Sequence, residues 1–115
     1  MPLTVEGTLS ECLIESNCVL VNWEFEKINQ AYEKLIKIAS ELPRTIVLEQ
    51  SAHYWHGVCR SLIFRFSDDL EILKLPNKGI IQVRSASRVG VSDLGVNRNR
   101  INKLYRKLEM NNLKK

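Results

Sequence analysis

The sequence predicts an α+β domain: a largely antiparallel four-stranded sheet with two helices packed on one face, in the order α-β-β-β-β-α. Three observations predict it. An apolar stripe at helical spacing runs up to Pro43. A stretch rich in β-branched and aromatic residues, Arg44 to Ser85, is cut by turn signals. A second helical stripe follows Asn97. A run of strands flanked by helices favours helices gathered on one face of an antiparallel sheet.

The first helix is read from Phe25, Ile28, Tyr32, Leu35, Ile36 and Ala39, which recur at three- and four-residue steps and so line one stripe. Asn22 is the expected N-cap. Pro43 ends the helix, because a residue before proline avoids the α region. Strands are expected over Arg44–Ser51, about Tyr54–Phe66, Asp69–Leu75 and Ile80–Ser85. Gly57, inside the second of these, points to a bulge or a close approach. The last two strands are joined by Pro76-Asn77-Lys78-Gly79, a strong turn signal.

That turn sets a register. With Leu75 opposite Ile80, Glu71 faces Arg84 and Leu73 faces Gln82, at separations that allow a cross-strand ion pair. Side chains alternate along a strand, so Asp69 shares a face with Glu71. Leu70, Ile72, Ile81 and Val83 form the opposite, apolar face, which should meet the helices. Phe64 and Phe66 share a face and are expected in the core, and Trp23 is expected to pack. Tyr54 and Trp55 are adjacent, so the strand can bury one and expose the other. Asn97 is the expected N-cap of the last helix, with Ile101, Leu104, Tyr105 and Leu108 as its stripe.

At 115 residues with 44% apolar content, the chain has enough for one core. A single domain spanning 1–115 is expected, with 1–22 an irregular lead-in and 23–115 the α+β core, as a monomer or simple homo-oligomer. No stretch approaches the roughly 20 apolar residues of a membrane span. Met1 to Thr8 lacks the basic and apolar regions of a signal peptide, so the expected location is cytoplasmic. Three cysteines without an export signal argue against a disulfide framework. Cys12 and Cys18 have neither zinc nor CxxC spacing, and a local disulfide between them remains open. Cys59 reads as a small core residue.

The net charge is +4, yet Arg98, Arg100, Lys103, Arg106, Lys107, Lys114 and Lys115 face a single acid, Glu109, in the last eighteen residues. A basic terminal helix could attract nucleic acid, anionic lipid or an acidic protein, or be an ordinary solvated face.

The densest polar segment runs from Asp68 to Arg100. Its parts are Asp68-Asp69-Leu70-Glu71, Arg84-Ser85-Ala86-Ser87-Arg88 and Ser92-Asp93 through Arg100. The runs FSDDLEI and RSASRVGVSDLGVNRNRI, with the early CLIESNCV and the aromatic-histidine stretch Tyr54 to His56, resemble the domain-of-unknown-function family numbered fourteen ninety-nine. The resemblance covers nearly the whole chain. It implies a shared fold and polar signature, with bacterial and chloroplast relatives, and no particular reaction.

Three chemistries fit this segment. Asp68, Asp69 and Glu71 could form structural ion pairs with Arg84 and Arg88, since buried charges require partners and an arginine fork suits two carboxylate oxygens. Alternatively, Arg84, Ser85, Ser87, Arg88, Ser92, Asp93, Asn97 and Arg98 could bind an anionic ligand or acidic protein partner near a helix start, where free N–H groups gather. Lastly, Asp69 and Glu71, with His53 or His56, could hold a divalent metal in a hydrolase-like site. His53 and His56 are three apart and would point to opposite strand faces, and no nucleophile–base pair is evident. The expected function is therefore a non-enzymatic binding or accessory module with an anion or partner site and no cofactor. The alternatives are the metal-dependent enzyme and nucleic-acid binding by the last helix.

Overall fold

The computed structural model describes residues 7–62, 66–88 and 93–112, apart from the side chains of residues 111 and 112. The described residues form five strands and two α-helices. In chain order these are β1 (Cys18–Glu24), α1 (Ile28–Ser40), β2 (Thr45–Gln50), β3 (Tyr54–Arg60), β4 (Ser67–Leu75), β5 (Ile80–Ser87) and α2 (Val96–Asn112). The sheet order is β1-β5-β4-β3-β2, and each neighbouring pair is antiparallel. The architecture is α+β as expected, but with five strands rather than four.

The additional strand is β1, which begins in the expected lead-in and pairs along its whole length with β5, from Cys18–Ala86 to Glu24–Ile80. Asn22 therefore sits in a strand and caps no helix. Lys27 occupies the N-cap of α1, and Phe25 precedes the helix, its N–H donating to the Gly79 carbonyl at 3.0 Å. β3 ends at Arg60, well short of Phe66. Phe66 itself is exposed, against expectation, and Phe64 lies outside the described residues.

The β4–β5 register matches the turn-based expectation: Leu75 faces Ile80, Leu73 faces Gln82, and Glu71 faces Arg84. Gly79 supplies the left-handed backbone (φ 66°) that closes the turn. α1 then crosses from the β1 edge to the β2 edge, and both helices contact the same side of the sheet. Ala31, Tyr32, Leu35, Ile38 and Ala39 of α1, with Ile101, Leu104 and Leu108 of α2, bury against Val19, Trp55, Leu70, Ile72, Ile81 and Val83. Each of the larger aliphatic side chains among these contributes about 1.5–3 kcal/mol when fully withdrawn from water. Trp23 packs here too, with its ring 4.9 Å from that of Tyr105.

Tyr54 and Trp55 are both buried, because both sheet faces are covered at this point. Trp55 enters the helix-side core, where its indole N–H donates to Ser40 Oγ at 3.2 Å. Tyr54 enters a smaller cluster on the second face with Leu9 and Leu73, flanked by Leu20 and Leu75. The lead-in thus roofs part of the second face, and the Leu9 N–H donates to Gln82 Oε1 at 2.9 Å. A Cys12–Cys18 disulfide ties this lead-in to the start of β1. Within its loop, the Ser16 carbonyl accepts from the Asp93 N–H, and the Asn17 carbonyl accepts from Asn97 Nδ2, each at 3.0 Å.

Gly57 is required by a close approach. A Cβ there would sit 2.5 Å from Trp55 Cη2. The bulge lies in the facing strand, between Val47 and Glu49. Gly57→Ala should therefore cost about 1–3 kcal/mol by overpacking, read as a lower denaturation midpoint with unchanged far-ultraviolet circular dichroism. Cys12 and Cys18 are six positions apart. Closing so short a loop restricts the unfolded chain by about 2 kcal/mol. Reductant, or Cys12→Ser with Cys18→Ser, should lower stability by that amount while leaving the sheet intact.

Candidate functional site

Strand alternation divides the Asp68–Arg100 segment between the two sides of the sheet. On the second face, Glu71 and Asp69 lie two apart on β4, and each is gripped from both neighbouring strands. Glu71 accepts from Tyr54 Oη at 2.6 Å on one side and from Arg84 Nη1 at 3.2 Å on the other. Asp69 accepts two bonds from the Arg88 fork, both 3.0 Å, and its Oδ1 lies 2.7 Å from His56 Nε2. Glu71 is 1% exposed and Asp69 8%, so both charges depend on these partners.

These contacts perturb the acids and the phenol. Burial pushes the Tyr54 hydroxyl well above the ordinary phenol value, and its bond to Glu71 pushes it further. Burial alone would raise Asp69. Hydrogen bonds from Arg88 and His56, reinforced by their charges, outweigh it and hold the carboxyl below the usual carboxylate range. The same bond and charge raise the Arg88 guanidinium.

On the helix side, Asp68 is 1% exposed, with Arg100 Nη2 2.9 Å from its Oδ2. Arg100 Nη1 donates to Ser85 Oγ at 3.0 Å and to Asn97 Oδ1 at 2.8 Å. Asn97 Oδ1 also accepts from Ser85 Oγ, while its Nδ2 donates to Ser87 Oγ and Asp93 Oδ2. Asp93 further accepts from the backbone N–H groups of Gly95 and Asn97 at 2.8 and 3.1 Å. Asn97 is the second residue of α2 and not its cap, and Asp93 supplies the carboxylate at the helix start. An internal anion thus already occupies the place where an outside one was expected to bind.

The structure therefore brings together Ser85, Ser87, Asp93 and Asn97, and separates them from Arg84 and Arg88 by the thickness of the sheet. Arg98 is exposed and lines a hollow beside Cys12 and Cys18. Ser92 lies outside the described residues. Asp69 and Glu71 share a face as expected, but arginines hold both. No group of three or more His, Cys, Asp or Glu side chains among the described residues is placed to hold a metal ion. His53 lies in the exposed turn before β3, away from His56.

Residues 8–108 match the family model described as "Protein of unknown function (DUF1499)". The chain belongs to this family. No curated protein and no solved structure matches it. Among the described residues of this DUF1499 member, no helix is long and apolar enough to cross a membrane.

A site that the sequence did not disclose lies at one end of the helix–sheet interface. A cleft of about 360 Å³ opens between the α1–β2 turn, the end of β3 and the first half of α2. Arg44, Arg60, Arg100 and Lys103 line it, and no carboxylate among its described lining residues opposes them. Arg100 is paired with Asp68 behind the wall. Arg44, Arg60 and Lys103 make no ion pair among the described residues. Arg44 donates from Nε to the Arg60 carbonyl at 3.0 Å, which fixes its stem across the rim. Its backbone is left-handed (φ 55°), a conformation that costs a non-glycine residue about 1–3 kcal/mol. Cys59 also lines the cleft, but burial pushes its thiol up, which keeps it protonated and a poor nucleophile. These cations come from three separate elements, so no local motif announces them.

The depressed Asp69 pKa gives a signed prediction. A carboxyl held below its unfolded value contributes stability that is full above about pH 4 and is lost as pH falls through the folded value. Asp69→Asn should lower stability at neutral pH by about 1–3 kcal/mol and remove this part of the acid-induced loss. Urea denaturation from pH 7 down to pH 3, on both proteins, measures it.

Proposed function

We propose that this DUF1499 domain is a non-enzymatic binding module for a small anion, with the basic cleft as its site. The observation that carries the proposal is that Arg44, Arg60 and Lys103 all line one cavity, with Arg100 in its wall and no acid among its described lining residues. Guanidinium groups offer planar, two-pronged recognition of carboxylate or phosphate, and the lysine adds a mobile point charge. Ser61, Thr45 and Asn99 in the same lining offer neutral hydrogen-bonding groups.

The anion-binding chemistry is the one expected from the sequence, carried by other residues. The forks of Arg84 and Arg88 are engaged by Glu71 and Asp69, so the Asp68–Arg100 signature serves better as the frame that braces the cleft. Arg100 belongs to both, reaching Asp68, Ser85 and Asn97 from the cleft wall. The Cys12–Cys18 bond favours an oxidising compartment, where such links persist.

Inorganic phosphate is the first probe. Thermal melts should rise with its concentration, reaching about 2.7 kcal/mol of added stability at 100 times the dissociation constant. Arg60→Ala combined with Lys103→Ala should abolish the rise, and Arg98→Ala should leave it unchanged. A flat melting temperature up to tens of millimolar phosphate, or a rise that survives the double substitution, defeats the proposal.

A further inference from the structure

A second cavity adjoins the basic cleft. It measures about 220 Å³ and shares Ser61 and Val96 with the cleft lining. Its character is different. Phe66, Leu94 and Val96 provide an apolar wall, and no lysine or arginine is among its described lining residues. Large apolar side chains are exposed around the two adjoining cavities: Leu94 is 70% exposed, Leu62 of the cleft 69%, and Phe66 37%. Surface apolar residues scattered singly need no explanation, but three gathered at the mouths of two adjoining hollows do.

Backbone geometry marks the same place. Among the described residues, only two non-glycine residues have positive φ, Arg44 and Leu94, both at 55°. One sits in the lining of each cavity. The left-handed region is unfavourable for a γ-branched aliphatic such as leucine, and Asn, Asp or Gly would fill it at less cost. Leu94 is thus held in a strained conformation with its side chain largely in solvent.

A basic cleft contiguous with an apolar pocket is complementary to an amphipathic ligand. We propose that the ligand of this site is a free, single-chain amphipathic anion. A carboxylate or phosphate head would lie among Arg44, Arg60 and Lys103, and a short alkyl chain would lie between Phe66, Leu94 and Val96. This rests on the anion-binding reading and adds the chemistry of the ligand's other end. The charge of the cleft sets the orientation, because the described lining of the apolar pocket holds no cation and includes Asp68 and Asp93.

The test is a chain-length series: sodium acetate, butyrate, hexanoate and octanoate, each below its micellar concentration, titrated into the full chain by calorimetry. A buried methylene strengthens binding about fourfold, so affinity should climb steeply with length until the pocket is filled. Phe66→Ala and Leu94→Asn should each flatten that climb and leave the binding of inorganic phosphate as it was. Both side chains are exposed, and asparagine suits the left-handed backbone, so these variants should melt as cooperatively as the parent.

Phosphate and acetate binding without any gain along the series overturns the amphipathic ligand and leaves the anion site standing. A gain that survives both substitutions places the chain elsewhere and overturns the proposal too. Binding to vesicles of anionic phospholipid with no binding of free octanoate overturns it in favour of a membrane surface. If neither phosphate nor any carboxylate binds, both proposals fall together.

Discussion

Glu71 lies opposite Arg84 where β4 runs beside β5, and almost no water reaches either side chain. Much of the surrounding structure answers to that fact. A buried carboxylate is tolerable only when its lone pairs are met, and removing one partner of such a pair costs about 3–5 kcal/mol. Glu71 is met from β5 by the guanidinium and from β3 by the Tyr54 hydroxyl. The same geometry recurs two residues along, where Asp69 is met by Arg88 and His56. Three strands are thereby pinned in one register by side chains as well as by their backbone ladder. A slip by one residue would send both acids into the apolar core under the helices.

The pinned register also fixes the other side of the sheet. With Asp69 and Glu71 on the second face, Asp68 must point toward the helices, where burial demands a cation. Arg100 of α2 provides it, and the remaining donors of Arg100 engage Ser85 and Asn97. Asn97 in turn draws in Asp93, Ser87 and the Asn17 carbonyl. One end of α2, the lead-in and the disulfide loop are thus tied to β4 and β5 through a continuous polar network. It replaces what a larger hydrophobic contact would otherwise do at this end of the molecule.

Legibility in the sequence followed the range of the interactions. The β4–β5 hairpin, its register, the Glu71–Arg84 pair and the apolar face under the helices were all readable, because a four-residue turn fixes them locally. The stripe of α1 was readable for the same reason. β1 was not. Its partner β5 lies more than fifty residues away, and Leu20, packed beneath Leu9 on the second face, blurs the alternation of Val19, Val21 and Trp23 that would have signalled a half-buried strand. A spacing of six between Cys12 and Cys18 admits a disulfide without requiring one. The burial of Tyr54 is not legible, because the lead-in that covers it has no periodic pattern. The basic cleft escaped altogether, since Arg44, Arg60 and Lys103 stand in three elements and meet only when the chain is folded.

Dense polarity in a sequence records where charge must be satisfied, and satisfied charge has little left to offer a ligand. In this domain the signature residues bond mainly to one another, whereas the cations with unspent capacity stand apart in otherwise plain surroundings. Arg100 connects the two populations. Its pairing with Asp68 keeps it from adding a full charge to the cleft, yet the pair sits between the basic cavity and the apolar one. An anionic head drawn by Arg44, Arg60 and Lys103 would meet a neutralised wall beyond them, and the Asp93 carboxylate would oppose its moving further. The head would stop in the cleft, and only an uncharged chain could continue into the adjoining pocket. The network that holds the fold together would in this way also set the direction in which a ligand lies.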